Sequence, residues 1–177
     1  IAIFCNISCF FKNNLILYIF LMSILNQKTI NKKISFSGVG LHTGFKVDLN
    51  LIPAAPNTGI IFKRTDLKNN NIIIPVYSNV VDTTLCTTLA NEKSVKVSTI
   101  EHLMGALYGL GVDNLIVELN SQELPILDGS AKLFIEKILS VGFKFSSTPI
   151  KLIKINKKVS YEIEEKSISL DVSKVAS

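Results

Sequence analysis

Histidine is almost missing from this 177-residue chain, with only His42 and His102 present. Imidazole chemistry is confined to those two positions, and each calls for its own reading. Cysteine is sparse too. Cys5, Cys9 and Cys86 are odd in number and irregular in spacing, which excludes a disulfide framework and favours a reducing, cytoplasmic location. Cys5 and Cys9 have the spacing of half a metal site, but no other Cys or His lies near them to complete one. Charged residues make up only 19%, with no dense run of Lys and Arg interleaved with aromatics. Nucleic acid is thus not an expected partner. The net charge of +5 comes from scattered Lys and favours anionic ligands such as phosphorylated sugars or acidic lipids. No Walker loop and no serine-centred elbow occur, and Gly38-Val39-Gly40 lacks the rest of a dinucleotide fingerprint. Internal repeats and low-complexity linkers are absent as well.

Long apolar runs are also lacking. Residues 1–21 are apolar and aromatic, but Lys12-Asn13-Asn14 splits them into two runs, each shorter than the roughly 20 residues that span a bilayer. A basic start and a small-residue cleavage site, the marks of a signal peptide, are missing. The chain begins with Ile, Met22 is its first methionine, and globular patterning starts just after it. Residues 1–21 read as an apolar leader outside the domain, translated upstream of the true start. A membrane-anchored module using these residues is the alternative.

What is present suffices for a buried core, since 47% of residues are apolar. Strands are expected over 29–36, 45–51, 60–63, 72–76, 85–90 and 95–97. Phe45, Val47, Leu49 and Leu51 alternate with polar neighbours, as in a half-buried strand. The clearest helix opens at Ser98-Thr99-Ile100-Glu101, which fits a capping box. Ile100, Leu103, Leu107 and Leu110 recur at helical spacing, and Gly111 supplies a stop. A strand over 114–119 follows. The turn Pro125-Ile126-Leu127-Asp128-Gly129-Ser130 then opens a second helix, with Leu133, Phe134, Ile138 and Leu139 on its apolar side and Gly142 at its end. These pieces predict a two-layer α+β domain over residues 22–149. After Pro149, strands are expected over 150–155, 157–163 and 168–172 with no helix to cover them. Residues 150–177 therefore read as the start of a truncated second domain, with apolar edges prone to aggregate.

Two histidines and one cysteine offer chemistry inside the domain. Glu101 and His102 are adjacent in the first turn of the clearest helix, about 100° apart around its axis. A neutral imidazole is a good zinc ligand, and a neighbouring carboxylate can take a proton from metal-bound water. The plainer reading makes Glu101 a capping residue and His102 an ordinary half-exposed side chain. His42, in a glycine-rich turn, is either a local hydrogen-bonding residue or a functional one. Cys86 lies in an apolar strand with no evident base, which favours a small hydrophobe over a nucleophile.

Read in order, the motifs say more. They are Gly38-Val39-Gly40-Leu41-His42-Thr43-Gly44, Ala55-Pro56-Asn57-Thr58-Gly59-Ile60, Arg64-Thr65-Asp66, Asp82-Thr83-Thr84-Leu85-Cys86-Thr87, Ser98-Thr99-Ile100-Glu101-His102-Leu103, Gly111-Val112-Asp113-Asn114 and Pro125-Ile126-Leu127-Asp128-Gly129-Ser130. This series resembles the UDP-3-O-acyl-N-acetylglucosamine deacetylases of lipid A synthesis, from about residue 27 to the chain end. The resemblance implies two similar α/β domains packed through their helices, each with its sheet outside. It implies zinc-assisted removal of acetate from a UDP-linked, acylated glucosamine, and membrane contact only peripherally, through a lipidic substrate. Under it His102 is the zinc ligand of the first domain and Glu101 the general base. Leu41, His42, Leu85 and Cys86 fall at the substrate or metal pocket.

The family takes its other zinc ligands from a His-Lys-x-x-x-Asp motif in the second domain, together with a further catalytic His and most UDP and acyl contacts. No His lies beyond residue 149 here. The expectation is an incomplete N-terminal fragment, inactive alone, whose remaining zinc ligands belong to the missing domain. The competing reading is a non-catalytic remnant or a partner-binding domain.

Overall fold

The computed structural model describes residues 26–151 and 156–172. The leader at 1–21, and most of the strand expected at 150–155, lie outside the described residues. Residues 29–36 do not form one strand. A bend at Asn31 and Lys32 separates β1 (Asn26–Ile30) from β2 (Ile34–Val39). The Asn31 amide donates to the Gly142 carbonyl at 2.9 Å, so the end of the second helix holds the break and β1 leaves the sheet that β2 joins.

β3 (Lys46–Pro53) pairs antiparallel with β2, Ser37 opposite Asp48. Next come β4 (Ile60–Arg64) and a short β5 (Ile72–Ile73). The strand expected to reach residue 76 stops early because Pro75 has no amide to give a ladder. β6 (Val80–Asp82), which no sequence pattern announces, joins β7 (Thr88–Ala90) and β8 (Lys96–Val97) in a separate three-stranded sheet. Helix α1 spans Glu101–Leu110 and ends at Gly111, whose φ of 64° is the left-handed conformation a glycine stop provides. β9 (Leu115–Leu119) follows, then α2 (Lys132–Val141), also closed by glycine. From Gly142 the chain turns into β10 (Phe143–Pro149), antiparallel to β1 with Thr29 opposite Lys144. The pattern does not announce β10 either, because Ser and Thr fill its second half.

The main sheet runs β2-β3-β9-β4-β5, with β4 and β9 parallel and every other neighbour antiparallel. Alternation puts Val47, Leu49 and Leu51 of β3 on one buried face, with Leu115, Val117 and Leu119 of β9 beside them. Register confirms the shared face, since Leu49 lies opposite Leu119 and Leu51 opposite Val117. Phe62 of β4 joins them opposite Val117. The helices cover this face with Leu103, Ala106 and Leu107 of α1 and Phe134 and Ile138 of α2. Each large apolar side chain so buried contributes about 1.5–3 kcal/mol relative to exposure. The two-layer α+β expectation holds, with corrections. Leu133 and Leu139 do not share the buried side of α2, being 38% and 53% exposed. Phe45 precedes β3 and is 63% exposed, so the buried alternation starts at Val47.

β11 (Val159–Ile163) and β12 (Lys166–Leu170) make a hairpin of their own, Tyr161 opposite Ile168, with every residue exposed. No helix covers them among the described residues. No described helix is long and apolar enough to cross a membrane.

Candidate functional site

Two loops are tied to the start of α1. The first is the turn that follows β2. The Gly40 amide donates to the Phe45 carbonyl and the Gly44 amide to the Gly40 carbonyl, both at 3.0 Å. Leu41 and His42 stand exposed in that turn. The second loop leads from β6 into β7. Asp82 Oδ1 accepts the Thr84 amide at 2.9 Å and its hydroxyl at 2.8 Å, which folds the loop on itself. Leu85 is 81% exposed there, so the strand expected from residue 85 begins only at Thr88. Cys86 is half-buried, its Sγ 3.7 Å from Thr88 Oγ1.

The capping box expected ahead of α1 does not form. The helix starts with no side-chain cap. Ser98 Oγ donates to the Gln122 carbonyl at 3.2 Å, and Thr99 Oγ1 donates to Glu123 at 2.9 Å. Both hydroxyls are thus engaged by the segment at 122–123 and not by the helix amides. Glu101 reaches the other way, its Oε2 accepting the Thr87 amide at 3.1 Å. That bond joins the Leu85-Cys86-Thr87 loop to the helix start. Glu101 is exposed and His102 half-buried.

Sequence pattern does not single out the residue that organises the rest. Glu123 has no exposed surface. Its Oε1 accepts the His42 amide at 3.0 Å and the Thr99 hydroxyl at 2.9 Å. Its Oε2 accepts the Thr43 amide at 2.8 Å and the Thr43 hydroxyl at 2.7 Å. The available signal was a carboxylate leading into Leu124-Pro125-Ile126-Leu127. A charge that enters a folded interior with an apolar run must find donors there.

Burial pushes the Glu123 carboxyl up. The hydrogen bonds from the His42 amide, the Thr43 hydroxyl and amide and the Thr99 hydroxyl outweigh that and hold it below the ordinary carboxylate range. Its folded value lies below its unfolded value, so in this window the unfolded chain binds more protons. The stabilisation is complete above the unfolded value of about 4.3 and is lost as pH falls through the folded value. The urea midpoint is therefore expected to fall below about pH 4.3, and to fall less steeply in Glu123→Gln. Equal slopes for the two proteins would remove Glu123 from the acid response. Asp66, lowered chiefly by its hydrogen bond from Arg64, acts in the same direction in both.

No group of three or more His, Cys, Asp or Glu side chains is placed to hold a metal ion among the described residues. His102 is one imidazole with a carboxylate beside it in sequence. By itself that donor set does not fit a catalytic zinc, which takes roughly three protein ligands.

Residues 27–175 match the family model for UDP-3-O-acyl N-acetylglycosamine deacetylases. The chain belongs to this family. Similar proteins, each named UDP-3-O-acyl-N-acetylglucosamine deacetylase, come from Actinobacillus succinogenes at 46% identity, Pasteurella multocida at 47% and Vibrio parahaemolyticus at 44%. Each match spans 144 residues, 81% of this chain and 47% of the relative. The chain thus spans about half the length of these deacetylases, and the family-model match over 27–175 includes the turn, the loop and the helix start.

Proposed function

We propose that this chain forms one wall of the active site of a zinc-dependent deacetylase, which removes acetate from UDP-3-O-acyl-N-acetylglucosamine in lipid A biosynthesis. What carries the proposal is the convergence of the His42 turn and the Cys86 loop on the Glu101-His102 helix start, in a chain of this family. His102 is the chain's metal ligand and Glu101 its general base. When bound, zinc would polarise the amide carbonyl and lower the pKa of its water toward ~7. The chain's own groups prepare for that chemistry. The Thr87 amide fixes one oxygen of Glu101 and leaves Oε1 without a partner among the described residues, open to receive a proton. Exposed Leu41 and Leu85 offer apolar surface to the acyl group, and His42 and Cys86 stand beside them. A net charge of +5 suits a diphosphate-bearing sugar.

Residues 22–149 are the first of two similar domains and residues 150–177 begin the second. The remaining zinc donors, and the acid that protonates the leaving amine, belong to the part of the relatives' length that this chain does not cover. The protein works in the cytoplasm and meets the membrane only through its lipidic substrate. The 177-residue chain alone neither holds zinc tightly nor turns over. Zinc titration in competition with a fluorescent chelator tests this division. Weak, non-stoichiometric binding is expected for the 177-residue chain. A protein of the relatives' full length should bind zinc tightly and lose it on His102→Ala. Tight stoichiometric binding by the short chain would overturn the division, and retained zinc in His102→Ala would remove His102 from the metal.

A further inference from the structure

Glu123 is a buried carboxylate to which the proposed chemistry gives no role. We propose that it is a positioning residue, its single carboxylate fixing the Leu41-His42 turn to the residue that leads into the Glu101-His102 helix. The proposal rests on the reading of those two segments as parts of one site.

The bonds divide between the two segments. The turn contributes the amides of His42 and Thr43 and the Thr43 hydroxyl, and the helix lead-in contributes the Thr99 hydroxyl. Oε1 alone joins them, accepting from His42 and Thr99 together. The backbone around Glu123 is locked in step. The Ser98 amide donates to the Gln122 carbonyl at 2.9 Å, the Leu124 amide to the Ser98 carbonyl at 3.1 Å, and the Ile126 amide to the Val39 carbonyl at 2.9 Å. Residues 122–126 thus lie between the strand that enters the turn and the segment that enters the helix.

Two local features are adapted to this carboxylate. A Cβ on Gly40 would overlap both the Glu123 carboxylate and the Thr43 hydroxyl, so only glycine lets the turn close over the charge. Thr99 sits at φ 57°, in the left-handed region that a β-branched residue avoids. Such strain persists where surrounding structure over-determines it. Thr99 is 3% exposed, and its hydroxyl is held by Glu123.

Four donors on one carboxylate also make its replacement by an amide informative. In Glu123→Gln one oxygen becomes an NH2 group. Thr hydroxyls can turn to accept from it, but the His42 and Thr43 amides cannot. One amide of the turn must therefore lose its partner whichever way the side chain lies.

Amide hydrogen exchange and histidine ring resonances of the 177-residue chain test this. In Glu123→Gln, the His42 or Thr43 amide is expected to exchange about tenfold or more faster relative to the Leu107 and Val117 amides, with a shifted His102 ring resonance. In Thr99→Val, which cuts only the helix side, the His102 resonance should move while the His42 and Thr43 amides keep their protection. A uniform acceleration at all four amides would show a merely structural carboxylate and overturn the proposal, as would no acceleration. If Glu123→Gln does not fold, Thr43→Val decides. Weakening the turn side alone must still shift the His102 resonance, and an unmoved resonance overturns the link. None of these readouts needs turnover or zinc, so positioning and deacetylation can fail separately.

Discussion

In a protein of the relatives' full length that carries the zinc donors proposed above, Glu101→Ala is expected to lower kcat by about 10²–10⁴-fold, the usual contribution of a positioned general base, the role proposed for Glu101. That factor corresponds to roughly 3–5.5 kcal/mol on the barrier. The fold should tolerate the change. Glu101 is exposed, it caps nothing, and its one side-chain hydrogen bond among the described residues is to the Thr87 amide. Losing a hydrogen bond of that kind costs about 0.5–1.5 kcal/mol of stability. Zinc content should not change, because the proposed ligand is His102. Glu101→Gln separates the two duties of the side chain. It keeps an oxygen to accept from Thr87 but cannot take a proton, so it should lose turnover as Ala does. The measurement is kcat at saturating substrate beside zinc content and thermal melting for both variants. Near-native kcat in either variant would remove Glu101 from the base role. Activity retained by Gln and lost by Ala would leave it only a loop-holding role.

The sequence makes some of this visible and hides the rest for physical reasons. Val47, Leu49 and Leu51 alternate, so the half-buried strand is legible from period alone. Helix α1 is legible from Leu103, Leu107 and Gly111. Local patterns report which face is buried, but not who lies beside whom. The parallel pairing of β4 with β9, and the departure of β1 to pair with β10, are set by contacts far apart in sequence. The capping box is a case where a local rule loses to tertiary structure. Ser98 and Thr99 have the right spacing, yet the segment at 122–123 takes both hydroxyls. Glu101 and His102 stand out only in the company of the other family motifs, since adjacency gives no reason to prefer chemistry to capping. Glu123 is hidden for a different cause. A buried carboxylate is recognised by its donors, and these come from residues 42, 43 and 99, distant in the chain.

Stability of the domain should depend most on how α2 is held, and Phe134→Ala is expected to cost about 3–5 kcal/mol. Phe134 is 1% exposed, and its only buried companion on the helix is Ile138, one turn away. Its ring lies 5.0 Å from that of Phe36 in β2, tilted at 58°, an arrangement in which ring edge and face attract. A second contact of Phe36 is also from α2. Lys137 Nζ stands 4.7 Å from the Phe36 ring centre and donates to the Ser35 carbonyl at 2.5 Å. Removing the Phe134 ring leaves a void between α2 and β2. Leu139→Ala is the contrasting variant. An exposed leucine removes little apolar surface from water, so its cost should stay within about 0.5 kcal/mol. Urea unfolding of the two proteins measures the difference. Similar midpoints for Phe134→Ala and Leu139→Ala would mean that α2 is not anchored through this ring. A midpoint lowered only in Phe134→Ala would place the anchor of the second helix on the strand that leads directly into the His42 turn.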